Sequence, residues 1–133
     1  MRLDKLDPPV NVDHDHVLGP ADAELTLVEY GSYSCGPCHA VHEVIEGLRN
    51  RFGERMRYVF RHLPMGDSED AIRAAELAEY AAETTGSFWQ VHEALMERGP
   101  AFSAGDFEQI ARELNLPRRA EHETALTVAQ ERV

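Results

Sequence analysis

The sequence predicts an α/β chain in which one β-α-β unit is followed by a wholly helical stretch. Three observations carry that reading. An apolar, partly β-branched run at 25–30 and an alternating run at 57–63 flank a helical period, the signature of parallel strands joined by a crossover. After Pro64 the apolar residues recur at helical spacings. The 133 residues, 43% hydrophobic and 28% charged, suffice for one core, because separate cores seldom form below roughly 200 residues. The expected organisation is a lead-in over 1–22, the β-α-β unit over 23–65 and a helical subdomain over 66–133.

The lead-in is rich in Asp and Pro and ends in Leu18-Gly19-Pro20-Ala21-Asp22. Leu25-Thr26-Leu27-Val28-Glu29-Tyr30, closed by Gly31 and Ser32, reads as a buried strand. Val41, Val44, Ile45, Leu48 and Phe52 then recur at three and four, which predicts an amphipathic helix from Cys35 to about Arg51 with Gly53 as its C-cap. Arg57 to Leu63 reads as a second strand, stopped by Pro64. Two strands alone do not make a stable sheet, so this layout is short of a strand.

Asp67 or Ser68 caps the next helix, which carries Ile72, Ala75, Leu77, Ala78 and Ala81 up to Thr85 and breaks at Gly86. Ser87 caps another through Met96, stopped by Gly99-Pro100. A third runs from Ser103 to Leu114, with Phe107, Ile110, Ala111 and Leu114 on one face. Pro117 opens a fourth through Ala125, Leu126, Val128 and Ala129. Glu76, Glu79 and Glu83 read as one solvated helix face.

Lys plus Arg number 13 and Asp plus Glu 24, a net charge of −11. That disfavours nucleic acid and an anionic membrane surface as partners. Lys5 is the only lysine, a bias of composition. No apolar run of signal-peptide length follows the first charges, and none approaches the 18 or so residues of a spanning helix. The expected setting is the cytoplasm, where a dithiol stays reduced and serves catalysis or metal binding more often than structure.

The two cysteines lie in Tyr33-Ser34-Cys35-Gly36-Pro37-Cys38-His39, between a predicted strand and a predicted helix. That context gives Cys-x-x-Cys its meaning. Cys35 falls at the helix N-terminus, where free N–H groups and the macrodipole stabilise a thiolate. Cys38 lies one turn further in, within reach of a mixed disulfide on Cys35. Pro37 suits the first turn, since its missing N–H would have had no partner. Cys35 is therefore read as the nucleophile and Cys38 as the resolving thiol. Glu29, six residues before Cys35, is placed beneath the dithiol to take the proton from Cys38; the bland reading has it facing solvent.

Together these residues resemble the thioredoxin superfamily, and more closely its DsbA-like branch, including thioredoxin-like domains fused to some bacterial sodium/proton antiporters. The resemblance rests on Asp15 to Ala23 as an opening segment, Leu25 to Gly31 as a core strand and Cys35-Gly36-Pro37-Cys38 at a helix start. Phe60-Arg61-His62-Leu63-Pro64 and Phe88-Trp89-Gln90-Val91-His92 extend it into a second strand and an all-helical insertion. It implies a thioredoxin-like fold, thiol–disulfide exchange on protein disulfides, no cofactor and no metal.

Two departures matter. The branch usually carries Pro-His or Pro-Tyr between its cysteines, whereas Gly36-Pro37 is the pair of reducing thioredoxins. A move from about −120 mV toward about −270 mV is worth roughly 7 kcal/mol, so the reducing or isomerising side is expected. The family's cis-proline loop and following strands are also missing before Glu131-Arg132-Val133; none of Pro8, Pro9, Pro20, Pro37, Pro64, Pro100 or Pro117 stands in its place. The sheet is expected to be incomplete at the C-terminus, with a second copy or a partner chain covering the edge at Leu25 to Tyr30.

Rival readings attach to the same residues. Cys35, Cys38 and His42, with His39 adjacent, make a zinc-binding set. Cys35 to His39 also matches the attachment motif of c-type haem, which needs export and a free His. A thioredoxin-like interaction or regulatory module with weak redox activity is the non-enzymatic alternative. His14 and His16, interleaved with Asp13 and Asp15, read as a solvated segment; His62, His92 and Trp89 read as structural.

Overall fold

The computed structural model describes residues 8–63 and 68–117. Its order is β1 (His16–Leu18), β2 (Leu25–Gly31), α1 (Gly36–Phe52), a 3-10 turn at Gly53–Arg55, β3 (Met56–His62), α2 (Glu69–Thr85), α3 (Phe88–Arg98) and α4 (Ala104–Glu113). Pro117 is the last residue described, so the fourth helix expected to follow it lies outside the described residues, as do Pro64 and Asp67.

The sheet has three strands in the order β1-β3-β2. β2 and β3 run parallel, in register from Leu25 opposite Met56 to Gly31 opposite His62. β1 is antiparallel to β3, with His16 opposite Phe60 and Leu18 opposite Tyr58. The missing strand therefore comes from the stretch read as lead-in. Three residues carry no period to announce a strand; what fixes them is long-range. Arg61 on β3 grips Asp15 through two hydrogen bonds of 2.8 and 2.9 Å and donates to the Pro8 carbonyl at 2.9 Å. That guanidinium holds the Asp15 carboxyl below its ordinary value.

β3 lies between the other two strands and is the most buried, with Tyr58, Val59 and Phe60 all under 3% exposed. At about 1.5–3 kcal/mol for each large apolar side chain removed from water, this strand anchors the core. Against it pack Tyr33, Ile45, Phe88, Val91 and Leu95, and the cluster runs on to Phe107 and Ile110 of α4.

The helix ends follow local chemistry. Ser68 caps α2 by accepting from the Ala71 N–H at 3.3 Å, and Gly86 ends it in the left-handed conformation that glycine adopts without strain. Asp106 accepts from the Ser103 N–H at 2.7 Å to open α4. Ser87 precedes α3 without a side-chain cap; its hydroxyl pairs with that of Thr85 at 2.7 Å.

Expectations about faces are corrected, first for the strand read as buried: Leu25, Thr26 and Tyr30 are exposed and only Gly31 of β2 is buried. Val41, Val44 and Ile72 are exposed, since the helical period marks a stripe but not what lies opposite it. Glu79 is buried at 2% exposure, apart from the solvated row expected of it, because two histidines from the sheet reach it.

Candidate functional site

β2 delivers Gly31, Ser32 and Tyr33 into the core, and the chain turns there into α1. Cys35 is the N-cap of α1, in extended conformation, and its Sγ accepts from the Cys38 N–H at 3.3 Å. The Cys35 N–H in turn donates to the Ser32 carbonyl at 3.2 Å. Gly36 and Pro37 are exposed on the first turn, and both cysteines are free and half-buried. The two sulfurs are thus a helical turn apart, with one sulfur set among the unpartnered N–H groups of a helix start.

The two thiols differ in their surroundings. Burial first, and then its hydrogen bond with Cys35, push the Cys38 thiol up to about 11; the charge of Glu29 adds to the effect. Cys38 therefore keeps its proton near neutrality until a base removes it.

Glu29 is half-buried on β2, between the enclosed and the solvent-facing readings. The Tyr58 hydroxyl donates to its Oε1 at 2.5 Å. Burial and the neighbouring Glu29 carboxylate both raise the Tyr58 hydroxyl well above its ordinary value, which keeps it a donor. Gly31 allows the packing: a Cβ there would lie 2.9 Å from the Phe60 ring and 3.3 Å from Glu29 Oε2. The strand that feeds the dithiol thus carries a carboxylate held by a phenol on the next strand.

The histidines take other partners. His39 bridges the Tyr33 and Met96 carbonyl oxygens, tying the first turn of α1 to the last turn of α3. His42 lies 3.0 Å from Glu93 and 3.4 Å from Glu46. The donor clusters that come together among the described residues are His16, His62 and Glu79, and His42, Glu46 and Glu93; neither includes a sulfur. The cysteine–histidine set expected as a zinc rival is therefore not assembled among these residues.

His14 and Asp13 are exposed as expected, but His16 lies on β1 with its ring stacked 3.6 Å from that of Phe88. Sequence reading missed Tyr33, whose hydroxyl meets His92 Nδ1 at 2.8 Å beneath the dithiol loop. His92 is 1% exposed, and burial, followed by the nearby His42, His62 and His16, brings it down to about 3, so it is neutral. An aromatic two residues before the first cysteine was the only local signal for it.

Among the described residues no helix is long and apolar enough to cross a membrane. A family model described as Thioredoxin matches residues 11–132. The Na+/H+ antiporter NhaA of Nitrosospira multiformis is 54% identical over 111 residues, a match that takes in 84% of this chain and 18% of the antiporter. The chain thus spans less than a fifth of the length of the curated relatives it matches. Among solved structures, a thioredoxin-like oxidoreductase from Silicibacter pomeroyi superposes with a TM-score of 0.71 and 26% identity, over 92% of this chain and 69% of that one. α-DsbA1 of Wolbachia pipientis gives 0.72 and 20%, over 92% and 67%. With a family match over most of its length and this likeness of architecture, the chain belongs to the thioredoxin family and has a fold of the DsbA-like kind.

Proposed function

We propose that the chain is a thiol–disulfide oxidoreductase acting on protein disulfides, on the reducing or isomerising side. The observation that carries this is the asymmetry of the dithiol: Cys35 caps α1 while the Cys38 thiol is held up at about 11. The Cys35 thiolate attacks one sulfur of a substrate disulfide, forming a mixed disulfide and expelling the other substrate sulfur as thiolate. Cys38 then loses its proton toward Glu29 and attacks Cys35 Sγ. The Cys35–Cys38 disulfide forms, the substrate leaves fully reduced, and a thiol reductant restores the pair. Gly36-Pro37 supports the reducing direction, and that direction fits the cytoplasmic setting expected from the sequence.

A protein partner, or a second copy, docks at the free side of β2. Leu25 at 41% and Tyr30 at 43% exposure on that strand support it.

A second reading is an interaction or regulatory module alongside an antiporter, favoured by the 54% identity to a protein of that name. Insulin-disulfide reduction decides between them: the wild type accelerates it and Cys35→Ser does not. Equal rates for the two would remove the enzymatic reading. Cys38→Ser should trap mixed disulfides on Cys35.

A further inference from the structure

On the α2 side of the sheet, His16, His62 and Glu79 converge on one point from β1, β3 and α2. His16 Nε2 lies 2.6 Å and His62 Nε2 2.8 Å from the same Glu79 oxygen, Oε1. All three donor atoms fall within 4.8 Å of one another. We propose that these residues bind one divalent transition-metal ion of the zinc class, apart from the dithiol and independently of its activity.

Four observations converge. The donor set is two imidazoles and a carboxylate, which suits zinc and its neighbours and matches the three-ligand sets that leave a fourth position open. The rings are already held: His16 is stacked on Phe88, and His62 stands edge-on to Phe60 at 5.4 Å and to Phe88 at 6.1 Å. The third observation is Glu79 Oε2, which is buried without a hydrogen-bond partner among the described residues while Oε1 takes both histidines. An ionised carboxylate with one bare oxygen in the core is costly, and a cation seated between the three groups draws on both oxygens. Finally, His16, the most accessible of the three at 15% side-chain exposure, lines an open depression of about 460 Å³ together with Asp15 and Phe88 among others, so one ligand of the set borders solvent.

Seating the ion tetrahedrally at about 2.0–2.2 Å from each donor requires the two short contacts to open by roughly 0.6–0.8 Å, within reach of side-chain rotation. In the metal-bound form each ring presents its Nε2 lone pair to the ion and carries its proton on Nδ1. The ion then ties β1 to β3 and α2 close to the dithiol loop, since His62 is in register with Gly31. The other cluster, His42 with Glu46 and Glu93, is the weaker candidate: its carboxylates are 43% and 40% exposed.

The test uses the whole chain carrying Cys35→Ser and Cys38→Ser, so that sulfur cannot hold the metal. After stripping with a chelator, it is loaded with Zn2+, and separately with Co2+, and metal per chain is measured. The expected result is one zinc per chain, a visible Co2+ d–d band and a Tm raised by zinc. On that background His16→Gln and Glu79→Gln should each weaken zinc binding by more than about tenfold, and His42→Ala should not. Circular dichroism establishes that each variant is folded; His16→Gln, at the edge strand, is the one least exposed to misfolding. Zinc that is not retained by the double-serine chain, is retained equally by folded His16→Gln, or is lost with His42→Ala overturns the proposal.

Discussion

α1 and α2 are both 17 residues long, and they are held in opposite ways. α1 buries one side chain, Ile45. α2 buries seven, five of them alanines, which let its backbone approach its neighbours closely. The helix that starts at Cys35 is fixed by polar ties, His39 to two carbonyls and His42 to Glu93, and by the loop that feeds it. The helix that carries no dithiol supplies the core. The proposed chemistry and the stability thus rest on different helices, and substitutions should sort by helix.

The largest effect is expected from Cys35→Ser, which should reduce disulfide turnover to background while changing stability by no more than about 0.5 kcal/mol. A Tm drop of many degrees would show the two roles to be merged. Glu29→Gln comes next. Removing the acceptor for the Cys38 proton should slow release of the mixed disulfide by about a hundredfold, measured by rapid quench, with formation of that disulfide unchanged. Equal slowing of both steps would make Glu29 structural.

On the other helix, Ala78→Leu adds three carbons where exposure is 0% and should cost about 1–3 kcal/mol in denaturant unfolding. Thiol chemistry of the folded fraction should not change.

Acid and alkali should strike different regions. His92 sits at about 3 against its ordinary 6.5, so it is neutral when folded, and the unfolded chain binds the extra proton. That contribution is complete above about pH 6.5 and is lost as pH falls toward 3. Burial pushes the Glu79 carboxyl up, but the hydrogen bonds from His16 and His62 together outweigh it and bring it down to about 2. Its stabilisation is present above about pH 4.5 and disappears toward pH 2. Cys38 behaves in reverse: its share is full below about pH 9 and fades as pH rises to about 11. Unfolding free energy against pH for His92→Gln and Cys38→Ser should each flatten one limb only.

The smallest effect is expected from Val44→Ser, within about 0.5 kcal/mol, because that side chain is 61% exposed. A cost above about 1 kcal/mol would show that this face is covered in solution.

What could be read in advance follows the range of the forces. Cys35 and Cys38, the Ser68 cap and the Gly86 stop are set by residues within a turn of each other, and the sequence places them. β1 depends on Arg61 gripping Asp15 across 46 positions. The burial of Glu79 depends on His16, 63 positions away, and the setting of Glu29 on Tyr58, 29 away. A period of three and four marked Val41 and Val44 as apolar, yet nothing in it says which side of α1 meets the sheet. The dithiol was legible because its chemistry is local; its surroundings were not, because they are assembled by topology.

The central claim is a reversible Cys35–Cys38 dithiol poised to reduce. Equilibrating the protein with dithiol buffers of graded potential and counting alkylated cysteines by mass tests it directly. The account predicts a single two-electron transition nearer about −270 mV than about −120 mV. A transition near −120 mV, or no reversible disulfide between Cys35 and Cys38, would contradict it.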